Sequence, residues 1–84
     1  MKKKLINSNS FYIVGDIGNT DTKIFLLNDE FVKIKKIFLK TRLITNMYIY
    51  KNLKILNNKK IKLVLFSSVV PSVYKQLKNF FKRR

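Results

Sequence analysis

The distribution of apolar residues in the first half of the chain predicts three consecutive β-strands. Apolar, β-branched runs cover residues 11–17 and 22–27, and the pair Gly18-Asn19 between them is typical of a turn. After a polar turn at residues 28–30, apolar residues alternate with lysines over residues 31–39, which is the period of a half-exposed strand. These runs predict an antiparallel meander.

The second half of the chain predicts a helix, a strand and a second helix. Helical spacing of apolar residues predicts a helix over residues 42–57, with Thr41 as a candidate N-cap. The continuous apolar run in residues 61–66 is typical of a parallel strand buried on both faces. Pro71 fits the first turn of a final helix. The apolar stripe of that helix consists of Val73, Tyr74, Leu77, Phe80 and Phe81.

The order β-β-β-α-β-α predicts an α/β fold with a mixed sheet, because a right-handed crossover places the fourth strand parallel to an earlier one. Residues 11–84 form the predicted domain, and residues 1–10 are interpreted as a basic and polar extension. The extension lacks the apolar segment of a secretory signal, and no run approaches the roughly 18 apolar residues of a membrane span. The sequence therefore predicts a cytoplasmic protein without a membrane partner.

Composition narrows the possible chemistry. The chain has no Cys and no His, which excludes disulfides, thiolate or imidazole metal sites and triads that use His. Its formal net charge of +15 is compatible with a nucleic-acid partner. The lysines are nevertheless spread along the chain among Asn, Ile, Phe and Tyr, which all use AT-rich codons, and no RNP-like motif or zinc finger is present. Nucleic-acid binding therefore receives little weight and is kept as an alternative function.

A short polar segment after the first predicted strand carries the candidate chemistry. Asp16 ends an apolar strand, where a carboxylate can hold Mg²⁺ directly or through water. Gly18 lets the backbone approach a phosphate, and the amides around Asn19 and Thr20 can form a concave anion site. Lys23 adds a positive charge nearby. The alternative interpretation is an ordinary hairpin turn with a solvated Asp.

A second polar pair, Ser67-Ser68, follows the fourth predicted strand. Ligands of open sheets bind beyond the carboxyl ends of the strands. If the fourth strand adjoins the first, both serines are expected to face the same cleft as Asp16. Taken alone, the pair is typical of an ordinary strand-to-helix turn.

Together these segments resemble the type III pantothenate kinases. The resemblance rests on Ile13-Val14-Gly15-Asp16-Ile17-Gly18-Asn19-Thr20 and on Ser67-Ser68-Val69-Val70-Pro71, with Thr41-Arg42-Leu43-Ile44-Thr45 similar to the family's Arg-containing stretch. It implies an incomplete ribonuclease-H-like, actin-like ATPase domain with strand order 3-2-1-4-5. The fifth strand would follow the last helix of this chain.

The resemblance also implies ATP-dependent phosphorylation of pantothenate to 4'-phosphopantothenate, the first step of coenzyme A biosynthesis. It implies Mg²⁺, a monovalent cation such as K⁺ or ammonium, and a homodimer. Mg²⁺ would bind at Asp16, and Ser67 and Ser68 would line the cleft. The residues implied to surround the ATP phosphates are Asp16, Ile17, Gly18, Asn19, Thr20, Asp21, Thr22 and Lys23.

The sequence departs from the family at the catalytic base, which the family places in a Gly-x-Asp-Arg segment that this chain does not contain. The acidic residues other than Asp16 and Asp21 are Asp29 and Glu30, in a predicted turn. No catalytic residue is therefore assigned. We expect a truncated kinase chain that is inactive alone, with a non-catalytic nucleotide-binding half or a basic nucleic-acid binder as alternatives.

Overall fold

A computed structural model describes residues 10–82 of the chain. The predicted extension therefore lies outside the described residues except for Ser10, as do Arg83 and Arg84 at the end of the predicted domain. The regular elements are β1 (Ser10–Ile17), β2 (Asp21–Leu27), β3 (Lys33–Lys40), α1 (Asn46–Leu53), β4 (Lys60–Ser68) and α2 (Pro71–Lys82). Short 3₁₀ turns at Thr41–Leu43 and Lys54–Asn58 flank α1.

The four strands form one mixed sheet in the order β3-β2-β1-β4. The pairs β1–β2 and β2–β3 are antiparallel, and β1–β4 is parallel. This arrangement confirms the predicted meander, the crossover to a parallel strand and the mixed α/β class. Parallel pairing of β1 with β4 also places the last residues of both strands at the same edge of the sheet.

One face of the sheet forms the core. Alternation along the strands directs Ile13, Ile24 and Leu39 to this face, where they are almost completely buried. Both helices cover the same face, since their buried side chains belong to one cluster with those of the strands. The helix residues in that cluster are Ile49, Leu53, Val73, Leu77 and Phe81. The opposite face of the sheet carries no helix among residues 10–82.

The first helix is shorter than the predicted span of residues 42–57. It starts at Asn46, and the side chain of Thr45, rather than Thr41, accepts a hydrogen bond from the backbone N–H of Tyr48 at 3.1 Å. Thr41 cannot cap the helix because it is buried and opens a separate 3₁₀ turn. Met47 is one of the apolar residues whose helical spacing predicts this helix, together with Ile44, Tyr48 and Ile55, yet it is 66% exposed.

The prediction that β4 is buried on both faces was wrong. Leu63 and Leu65 are 49% and 56% exposed, whereas Val64 and Phe66 pack against the core. The reason is that α1 and α2 lie on the same side of the sheet and leave the other side of β4 uncovered.

No helix within residues 10–82 has the length and apolar character needed to cross a membrane.

Candidate functional site

The loop of residues 18–20 connects β1 to β2, and its ends are joined by a backbone hydrogen bond. The N–H of Gly18 donates to the carbonyl of Asp21 at 3.0 Å. None of these residues has positive φ, so the turn forms without a left-handed residue. A Cβ at Gly18 would lie 3.1 Å from the carbonyl oxygen of Asp21, so a larger residue here would crowd that carbonyl. An anion bound by these amides would therefore be held by an ordinary turn, without a residue in the left-handed conformation.

Thr41 holds this loop from the end of β3. Its hydroxyl donates to the carbonyl of Gly18 at 2.8 Å, and its N–H donates to the carbonyl of Thr20 at 3.0 Å. The hydroxyl of Thr22 lies 2.8 Å from the same Thr41 oxygen, and both side chains are buried. Since the Thr41 proton is directed to Gly18, the Thr22 hydroxyl acts as the donor between the two threonines. The loop is thus fixed at two of its carbonyls.

The sequence interpretation missed this role of Thr41. A signal was present, because Thr22 shares the buried side of β2 with Ile24 and Leu26. A buried hydroxyl needs a hydrogen-bond partner. The pattern therefore required a partner for Thr22 but could not identify which residue supplied it.

Asp16 and Ser67 lie side by side at the carboxyl ends of β1 and β4. They are paired in the parallel register, and the Ser67 hydroxyl donates to Oδ1 of Asp16 at 2.9 Å. Both residues are exposed. Ser68 does not share this arrangement, because its hydroxyl lies 2.9 Å from the N–H of Val70 and supports the turn into α2. The carboxylate of Asp16 is thus oriented by one neighbour and open to solvent.

The remaining residues of the predicted phosphate-binding segment divide into two groups. The side chains of Ile17 and Thr22 are buried, so only their backbones can contribute to a surface site. The exposed members are Asn19, Thr20, Asp21 and Lys23. Asp21 is 3.5 Å from the ammonium of Lys40, and both side chains are more than half exposed, so this ion pair contributes little to stability.

Lys23 lies directly opposite Asp16 in the antiparallel register of β1 and β2. Side chains at opposite positions of neighbouring strands point to the same face of the sheet. Asp16 and Lys23 therefore project from neighbouring positions of one face beside the loop. This combination can bind a metal ion and an anionic ligand together.

Within residues 10–82, no group of three Asp, Glu, His or Cys side chains could hold a metal ion. This donor set fits Mg²⁺ brought by a nucleotide, because Mg²⁺ often binds one or two carboxylates, the substrate phosphates and water. The described cavities lie elsewhere, with one of about 470 Å³ between the helices and two along β4. The loop is therefore an open site at the sheet edge.

Comparison with known proteins relates the sequence of this chain to a family. No protein-family profile matches the chain. A type III pantothenate kinase of Pelagibacter ubique is 48% identical to it over 73 residues. The resemblance to the N-terminal portion of type III pantothenate kinases is confirmed.

The matched segment covers 84% of this chain, so it necessarily includes the central residues, among them the loop and Ser67. The chain spans only 29% of the length of that type III pantothenate kinase. The similarity to the kinase therefore includes the loop and Ser67, and the activity of a whole enzyme requires a separate argument.

Proposed function

We propose that this chain forms the nucleotide-phosphate-binding part of a type III pantothenate kinase and that its sheet belongs to a ribonuclease-H-like, actin-like ATPase domain. The observation that carries the proposal is the meeting of Asp16 and Ser67 beside the loop held by Thr41. The carboxyl ends of neighbouring parallel strands are where open α/β sheets bind ligands. The similarity to the Pelagibacter kinase supports the same assignment.

In the proposed site, Asp16 holds the Mg²⁺ of Mg·ATP, and the loop at residues 18–20 contacts the phosphate oxygens. Lys23 adds a positive charge on the same face. Bound Mg²⁺ neutralises charge on the phosphates during transfer. Phosphoryl transfer depends mainly on such positioning and charge stabilisation, so a carboxylate, a loop and an ammonium group are suitable components.

The whole kinase would transfer the γ-phosphoryl group of ATP to the primary hydroxyl of pantothenate in the cytoplasm, as a homodimer with a bound monovalent cation. For this 84-residue chain we propose Mg·ATP binding without phosphoryl transfer. No group among the proposed site residues is assigned as the base for the pantothenate hydroxyl, and such a base contributes typically 10²–10⁴-fold to the rate.

Isothermal titration of the full 84-residue chain with Mg·ATP tests this proposal. We expect binding that requires Mg²⁺ and that weakens about tenfold or more in Asp16→Asn, because the variant loses a charged ligand. Glu30→Gln is the matched control, since it removes the same charge from the distant turn between β2 and β3. Adding pantothenate should produce no ADP.

Two outcomes would contradict the proposal. One is the absence of heat from a chain whose circular dichroism shows a folded protein. The other is equal weakening by Asp16→Asn and Glu30→Gln, which would mean that only overall charge matters.

A further inference from the structure

The face of the sheet opposite the helices carries aromatic rings and lysines together. We term it the open sheet face and represent it by Tyr12, Lys23, Phe25, Lys33, Lys36 and Phe38. The ring of Phe38 is 65% exposed. Strand alternation and register place these side chains on the side of the sheet away from α1 and α2.

Each phenylalanine of the open sheet face has a lysine beside it. Phe38 pairs with Lys23 across β2 and β3, and Phe25 pairs with Lys36. The ammonium of Lys33 lies 4.4 Å from the centre of the Phe25 ring. The edge contact between Phe25 and Phe38, with ring centres 6.4 Å apart, supports Phe38 while leaving its ring accessible.

The fold concentrates positive charge on this face. In the sequence the lysines are dispersed, whereas the fold gathers three of them on one face. The acidic residues lie at the two ends of the strands, in or beside the connecting turns. Asp16 and Asp21 share this face only at the loop end, where Asp21 is paired with Lys40. A second copy of the same lysine-rich face would be repelled, so charge complementarity favours a polyanion.

Exposed rings distinguish between kinds of polyanion. Single-stranded nucleic acid offers unstacked bases that stack on aromatic side chains and phosphates that contact lysines. Four-stranded sheets with aromatic residues on an open face bind RNA in this way. A duplex keeps its bases stacked inside, so the ring of Phe38 would contribute nothing to its binding.

We propose that the open sheet face binds single-stranded nucleic acid, with Phe38 stacking on a base and Lys23 and Lys36 contacting the backbone phosphates. The proposed nucleotide-phosphate site uses the loop and Asp16, and it has Lys23 in common with this face. Phe38 and Lys36 belong to the open sheet face alone, so their variants test it independently of Mg·ATP binding.

Fluorescence anisotropy of the full chain with a labelled 12-nucleotide single strand, and with the duplex of the same sequence, tests the proposal. We expect tighter binding of the single strand and a loss of about 5- to 150-fold in Phe38→Ala. Tyr50→Ala is the matched control, because Tyr50 is 52% exposed on α1 and also has a lysine near its ring. Its affinity should equal that of the unaltered chain.

Salt dependence and a second pair of variants complete the experiment. Lys36→Ala should reduce the slope of log affinity against log salt by about 0.7, and Lys51→Ala on α1 should leave it unchanged. Asp16→Asn should leave the affinity for the strand unchanged or raised while weakening Mg·ATP.

The proposal is overturned if the folded chain binds neither oligonucleotide or binds the duplex as tightly as the single strand. It is also overturned if Phe38→Ala and Tyr50→Ala have equal effects. A chain that sedimentation shows to be an oligomer dissociated by Phe38→Ala would assign this face to self-association instead.

Discussion

At the scale of single residues, the loop after β1 depends on a hydroxyl located 23 residues further along the chain. Thr41 satisfies the Gly18 carbonyl and the buried Thr22 hydroxyl at once. Leaving a buried polar group without a partner costs about 1–3 kcal/mol, which exceeds the roughly 0.5–1.5 kcal/mol that a satisfied hydrogen bond contributes net. Loss of this one hydroxyl should therefore affect stability strongly.

Thr41→Val should lower the free energy of unfolding by about 1–3 kcal/mol, because it leaves the Thr22 hydroxyl and the Gly18 carbonyl without their partner. Urea unfolding followed by circular dichroism measures the change. Thr20→Val is the control with the same change of side chain at an exposed position, and it should stay within about 0.5 kcal/mol of the parent.

The double variant Thr22→Val/Thr41→Val separates hydrogen bonding from packing. Replacing both hydroxyls by methyl groups removes the orphaned Thr22 donor, so its cost should be less than the sum of the two single changes. Additive costs would show that the two hydroxyls are not coupled.

Gly15 illustrates a steric requirement at the same scale. A Cβ at this position would collide with the ring of Phe66 and would lie 3.0 Å from the carbonyl oxygen of Lys23. Alanine would reduce unfolded-chain entropy, a gain of about 0.4–1 kcal/mol. Overpacking typically costs about 1–3 kcal/mol, so the collision should outweigh that gain.

Gly15→Ala should therefore destabilise the fold by a net amount of about 1 kcal/mol or more in urea unfolding. The same substitution in a Phe66→Ala background should cost less, because the ring that it meets has been removed. An equal cost in both backgrounds would assign the effect to the backbone contact with Lys23.

At the scale of elements, α1 depends on its N-terminal cap. The helix covers Asn46–Leu53 and has no acidic residue in its first turn, so the Thr45 side chain provides the described interaction with a free N–H there. Isolated helices of this length are marginal in water. The cap and the burial of Ile49 and Leu53 together hold α1 against the sheet.

Thr45→Ala should lower the free energy of unfolding by about 1 kcal/mol, since Ala cannot accept the hydrogen bond from Tyr48. Thr45→Ser, which keeps the hydroxyl, should stay close to the parent. Chemical denaturation of the three proteins side by side measures this. A serine variant as unstable as the alanine variant would show that the methyl group of Thr45 matters more than its cap.

The elements also show how much the sequence could predict. Periodicity and turn residues were sufficient for the meander and for the crossover to a parallel strand, because both are patterns along the chain combined with a handedness rule. The position of the fourth strand beside the first came from the family resemblance. The start of α1 was misplaced because Thr41 and Thr45 are equally good caps in sequence, and burial selects between them. The exposure of one face of β4 could not be predicted. Leu63 and Leu65 are apolar like core residues, and the sequence does not show which face of the sheet the helices cover.

The candidate site was predictable to a similar extent. The approach of Ser67 to Asp16 follows from parallel pairing of the strands that carry them, and both positions were identified from sequence. The separate orientation of Ser68 and the anchoring by Thr41 depend on contacts between distant segments. Nothing in the local sequence around either residue specifies those contacts.

At the scale of the whole molecule, charge opposes compactness. The formal net charge is +15, and the one ion pair described within residues 10–82 joins two exposed side chains. Such a pair contributes about 0–1 kcal/mol, whereas repulsion among many lysines acts throughout the molecule. Added salt should therefore weaken more repulsion than attraction.

Raising the ionic strength from about 0.01 M to about 0.1 M shortens the screening length from about 30 Å to about 10 Å. The Cα radius of gyration is 13.5 Å, so the screening length passes from above to below the size of the molecule. The melting temperature measured by circular dichroism should rise over this interval.

Sodium chloride and choline chloride should raise the melting temperature equally, because screening does not depend on the identity of the cation. Sucrose at matched osmolarity controls for effects of an uncharged solute. A melting temperature that falls with salt would show that attractive charge pairs, rather than net repulsion, dominate the electrostatics of this fold.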